Sequence, residues 1–176
     1  MGGLEAGNAL SIYISKFLKM LESKDIDHNI KIEIIRMLST SVCDNKTVHE
    51  SLMNNNAISL FIDIVKEGDK LARWICYTIL LMTRDNDDLL VSLPDFPDFF
   101  QTISYAESLS WEGWQYNIAR VLLQIAGLQK PNFDLLRSIE TDYGYYDETL
   151  DKRADGRRRR RHKYRNTDAK PKIDND

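Results

Sequence analysis

The chain has 176 residues, 43% of them hydrophobic and 29% charged, which suits one domain with a real core. Its longest apolar run, Trp74 to Met82, is nine residues, and it has two cysteines, so a membrane-spanning helix and a disulfide framework are both excluded. The formal charge of −3 hides a split: residues 151–176 hold 11 basic and 5 acidic residues, a surplus of six, leaving −9 on residues 1–150.

From the N-terminus, apolar residues recur at steps of three and four, the helical period. The first segment, 8–22, carries Leu10, Ile14, Phe17, Leu18 and Leu21. A longer one, 28–43, carries Ile30, Ile34, Met37, Leu38 and Val42. Segment 47–55 is short, with Val48 and Leu52. Segment 57–67 carries Ile58, Phe61, Ile64 and Val65, and Gly68 is expected to end it as a C-cap. Segment 70–84 carries Leu71, Trp74, Ile75, Thr78, Ile79 and Met82, which puts Trp74 on the core stripe. Segment 87–93 is short and closed by Pro94. Segment 97–107 opens on Pro97, a helix-starting residue, and carries Phe100, Ile103 and Ala106. Segment 111–127 carries Trp114, Ile118, Val121, Leu122 and Ile125, placing Trp114 on its core face too. A short segment, 132–140, carries Phe133, Leu136 and Ile139. No segment alternates as a strand does, so the expected fold class is all-α.

The lengths form an order: medium, long, short, medium, long, short, medium, long, short. Superposing Asp44-Asn45 on Asp85-Asn86 aligns the first two long segments at an offset of 41. Superposing Ile79-Leu80-Leu81 on Val121-Leu122-Leu123 gives 42 for the next pair. A period in the low forties with three helices per unit describes a stack of repeats, each burying its apolar face on its neighbour.

Segment Ala72-Arg73-Trp74-Ile75-Cys76-Tyr77-Thr78-Ile79-Leu80 resembles the third helix of an armadillo repeat, as does Ile118-Ala119-Arg120-Val121-Leu122-Leu123-Gln124-Ile125-Ala126. The linked pairs 47–67 and 87–107 resemble first and second helices. The resemblance implies a short armadillo-like α-solenoid of about two and a half to three repeats over residues 8–140. It also implies a groove lined by third helices, which such proteins use to bind other proteins. In that arrangement the groove is lined by Lys31, Arg36, Arg73, Tyr77, Gln115 and Arg120, with Trp111 as a further partner-binding residue. The Trp-then-Asn pairs with which nuclear-import adaptors of the family grip basic peptides are missing. Thr78 follows Trp74, and the corresponding pairs are Glu33 with Met37 and Tyr116 with Arg120.

Residues 141–176 form the second expected region. Asp142, Asp147, Glu148 and Asp151 interleave with Tyr143, Tyr145 and Tyr146 as an acidic-aromatic linker. A tail poor in large apolar residues comes after it and is expected to be disordered. Its seven cations, Arg157, Arg158, Arg159, Arg160, Arg161, Lys163 and Arg165, suit nucleic acid, an acidic surface or a nuclear-localisation role.

Chemistry has no visible seat. The glycines never take phosphate-loop spacing, and no Cys or His pair has zinc spacing, so no cofactor or metal is expected. Cys43 with His49 invites a nucleophile reading, but a cysteine packed at a helix end explains it better. Arg84-Asp85-Asn86-Asp87-Asp88 has a calcium-loop flavour, yet Leu90 stands where the loop needs glycine; Asp87 as an N-cap fits better. The sequence therefore points to a non-enzymatic protein-binding module, cytoplasmic by default and then nuclear. It recruits a protein through its groove or an open solenoid end, where another copy could also stack. The rival is a nucleic-acid-associated protein held by its arginine tail.

Overall fold

The computed structural model describes residues 9–42, 45–84 and 86–143. Residues 1–136 form one compact unit; of the second, 137–176, only 137–143 are described. The tail arginines, Cys43, Asp44 and Asp85 therefore lie outside the described residues. Among those described there is no strand, and no helix is long and apolar enough to cross a membrane.

The helices are α1 (Ile14–Glu22), α2 (His28–Val42), α3 (Lys46–Asn54), α4 (Ala57–Ile64), α5 (Asp69–Thr83), α6 (Asp87–Ser92), α7 (Phe99–Ser108), α8 (Ile118–Ile125) and α9 (Phe133–Tyr143). Short 3-10 turns extend α4 (Val65–Glu67) and α6 (Leu93–Asp95). α2 lies along α5 and α5 along α8, making one layer. α1 touches α4 and α4 touches α7, making the other. The core runs between the layers, with Ile14, Leu38, Phe61, Ile75, Phe99 and Leu122 sealed from solvent. A fully buried Phe61 or Phe99 contributes about 2–3 kcal/mol of hydrophobic stabilisation.

Several starts are fixed by side chains. Asn45, Asn86 and Asn117 each accept a hydrogen bond from the amide three residues on: Val48 at 3.1 Å, Leu89 at 2.9 Å and Arg120 at 3.1 Å. Each satisfies one of the amides that a helix start leaves without an intrahelical partner. At α6 the cap is therefore Asn86 rather than the expected Asp87, which sits with Asp88 in the first turn, where acids complement the helix dipole. The second helices start differently. Asn56 (φ 53°) and Asp98 (φ 57°) adopt left-handed backbone immediately before Ala57 and Phe99, both fully buried.

Three expected boundaries are corrected. Segment 8–22 is a continuous helix only from Ile14: residues 9–11 are helical, but 12–13 form a turn. Pro97 precedes the start of its helix, because left-handed Asp98 comes between them and α7. The largest change is in segment 111–127, where only Ile118–Ile125 is helix. Gly113 (φ 79°) turns the chain, and Asn117 closes the turn by capping α8. Gly68 does end segment 57–67 as its C-cap, with extended backbone (φ 169°) rather than the left-handed one usual for a capping glycine. Its role is spatial: a Cβ there would lie 2.6 Å from Cε1 of the His28 ring.

Candidate protein-interaction surface

Of the groups first considered for chemistry, the described ones have structural occupations. His49 Nε2 lies 2.7 Å from the Met82 carbonyl oxygen, and Cys43 is outside the described residues. Cys76 is sealed in α5, and burial pushes its thiol up to about 12, away from the thiolate a nucleophile needs. Leu90 of the acidic segment is core. No group of three or more metal-binding side chains occurs among the described residues.

The α2–α5–α8 layer carries a different kind of site. On α5, Trp74 and Tyr77 are one helical turn apart, with ring centroids 5.9 Å apart and planes at 74°. Trp114 meets both edge-to-face, at 5.1 Å from Trp74 and 5.8 Å from Tyr77, and Trp111 meets Trp114 at 5.7 Å. From α2, the Arg36 guanidinium sits 5.3 Å from the Trp74 ring centroid, held also by Glu33 at 2.7 Å. Five side chains from α2, α5 and the turn before α8 thus form one row.

The turn at 111–116 is held so that its tryptophans reach α5. Trp111 Nε1 donates to the Ala106 carbonyl at 3.0 Å, and Asn117 Nδ2 donates to the Glu107 carbonyl at 2.8 Å. Glu107 ties the end of α7 to α8 and to the segment beyond it, accepting from Arg120 Nε at 2.9 Å and from Gln129 Nε2 at 2.6 Å. Unlike the Arg36 and Arg120 guanidinium groups, which have acidic partners, Arg73 has a buried Nε without a hydrogen bond among the described residues.

Of the residues expected in the groove, the structure brings Arg36, Tyr77 and Trp111 together through Trp74 and Trp114. Gln115 is exposed and donates to the Tyr116 hydroxyl at 3.0 Å, Arg120 is exposed, and Arg73 is half-buried. Lys31 is a correction: only 3% exposed, its ammonium is paired with Glu67 at 2.7 Å, so it cannot offer itself to a partner. Trp74 and Trp114 are corrected in the opposite sense. They are half-buried surface aromatics rather than core. A sequence signal for Trp74 does exist: 41 residues earlier stands Glu33, a solvent-facing type of residue at the matching position.

A second feature lies at the other side of α2. Phe17, Ile30, Ile34 and Met37 line a shallow apolar depression, rimmed by Asn29 and Glu33. Ile30, expected on the core stripe, is 47% exposed there.

Helices stacked in two layers, with the long pair α2 and α5 offset by 41 residues, are the arrangement of an armadillo-like helical protein. Comparison with protein-family models agrees: residues 1–130 match the model described as Armadillo-like helical domain-containing protein 2, and the chain belongs to that family. No curated protein and no solved structure matches it.

Proposed function

We propose that the chain is a non-enzymatic protein-binding module of about two and a half to three armadillo-like repeats, recruiting a partner through the α2–α5–α8 face. The observation that carries this reading is the row Arg36, Trp74, Tyr77, Trp114 and Trp111. Aromatic residues and arginine are enriched among the side chains that dominate interface energies, the aromatics because they exclude much water while losing little side-chain freedom. Here they are pre-positioned by ring contacts and hydrogen bonds, which lowers the ordering penalty of binding. Arg73, Gln115 and Arg120 flank the row as polar contacts. The open depression at α2 is a second binding region of the same module. Cytoplasm and nucleus are the settings that this reading expects.

The test is capture of partners from lysate by the full chain and by an Arg73→Ala, Tyr77→Ala, Arg120→Ala variant with unchanged circular dichroism. Partners held at moderate salt and lost by the variant support the groove. Equal retention by both would sink it. The charge surplus in residues 151–176 supports the rival, a nucleic-acid association through Arg157–Arg161, Lys163 and Arg165. That binding weakens steeply with salt and is released by nuclease, because it rests on phosphate neutralisation.

A further inference from the structure

The two long helices α2 and α5 are related by a constant shift: their first residues, His28 and Asp69, and their last, Val42 and Thr83, are both 41 apart. On α5, Leu71, Ile75 and Thr78 are sealed from solvent. Their counterparts 41 residues earlier are Ile30, Ile34 and Met37, three of the residues lining the depression. Ile30 is 47% exposed where Leu71 is fully buried. The depression is therefore the counterpart of the surface on which α2 stacks; Phe17 of α1 covers part of it and buries Ile34, and among the described residues Ile30 is left exposed.

The repeat relation also says what fits there. The element lying along α5 is α2, a helix whose buried side chains include Ile35, Leu38 and Val42. Its flank is basic: Arg36 rests over Trp74, and Lys31 reaches Glu67. Moved back by one repeat, the place of Trp74 is taken by Glu33, an exposed carboxylate that also pairs with Arg36 of its own helix at 2.7 Å. The place of Glu67 falls between Asp25 and Asp27, both exposed carboxylates. A helix laid along α2 as α2 lies along α5 thus meets an apolar floor with acidic groups where α2 itself carries Arg36 and Lys31.

Resting on the protein-binding reading, we infer that this end face docks a basic amphipathic helix of a partner protein, with Ile or Leu at three- and four-residue spacing and Lys or Arg beside it. A second copy of this chain is a poor occupant. In a head-to-tail stack its matching ridge would lie on α8, where Ile118 and Val121 are already buried within its own fold.

The probe is a helix-stabilised peptide with the sequence of residues 28–42, titrated against the full chain by fluorescence anisotropy. Saturable binding is expected, weakened roughly tenfold or more by Ile30→Asp and by Glu33→Lys in the protein, with circular dichroism confirming that both variants fold. A peptide with its two basic residues changed to Glu should lose the wild-type protein and regain the Glu33→Lys variant. The Arg73→Ala, Tyr77→Ala, Arg120→Ala variant should bind the peptide normally, so failure at the groove and failure at the end face are read separately. Absence of saturable binding, or binding indifferent to Ile30→Asp, overturns the inference. So does a wild-type dimer in light scattering that Ile30→Asp dissociates, which would assign the face to a second copy. Tighter peptide binding by Leu4→Glu would likewise overturn it, by assigning the face to the chain's own first residues.

Discussion

Lys31 and Glu67 form an ion pair whose two ends sit in different surroundings. The lysine is 3% exposed and the glutamate 36%, so removing either partner does not have the same effect. Loss of Glu67 strands an ammonium in the interior, whereas loss of Lys31 leaves a carboxylate that water can still reach. Breaking a buried pair from the side that leaves the charge buried costs about 3 kcal/mol, while removing the buried charge itself leaves a partner that water can solvate and forfeits little. Urea unfolding should therefore show Glu67→Ala as strongly destabilising and Lys31→Met as within about 1 kcal/mol of wild type. Equal losses for the two would mean that the lysine is hydrated and the pair is an ordinary surface bridge. The sequence holds no hint of this asymmetry. Lys31 reads as a polar position beside an apolar stripe, and only the reach of its long stem to a turn 36 residues away makes it interior.

At the scale of elements, the start of each second helix is the least obvious feature and the most regular. Asn56 and Asp98 stand 42 residues apart, both with left-handed backbone. Left-handed backbone is strained for residues with a Cβ, though Asn and Asp bear it better than most, and glycine bears it freely. Asp98→Ala is expected to destabilise by about 1 kcal/mol while Asp98→Gly does not, measured by thermal or denaturant unfolding. A glycine variant as damaged as the alanine one would show that the Asp98 carboxylate, rather than its backbone, matters. These turns explain why some boundaries are legible in sequence and others are not. The long helices α2 and α5 follow from apolar spacing alone and lie within one residue of their expected limits. Residues 111–117 have the same spacing as a helix, and Trp114 and Ile118 sit four apart. Yet the hydrogen bonds that Trp111 and Asn117 make to the end of α7 outweigh helix formation there. Such contacts depend on where α7 ends, which no local pattern encodes. The same limit applies to the candidate site. Arg36, Tyr77 and Trp111 can be named from the repeat resemblance, but the edge-to-face row joining them requires the turn at Gly113 to be known.

For the molecule as a whole, family membership and stacked layers belong to one account, in which each helix set covers the next. All three tryptophans of the chain, Trp74, Trp111 and Trp114, belong to the single row that joins α5 to the turn before α8. Indole emission is therefore not a global average in this protein but a local reporter of one junction, with Tyr77 as a neighbouring donor of excitation energy. A ligand seated against the row should shift or quench that emission strongly on titration, whereas a helix docked at Ile30 reaches the row only through the Glu33–Arg36 pair and should change it less while still binding by anisotropy. Spectral silence during saturable capture of a groove partner would place its contact elsewhere. Without any label, one fluorescence spectrum can thus tell which of two surfaces a partner has chosen.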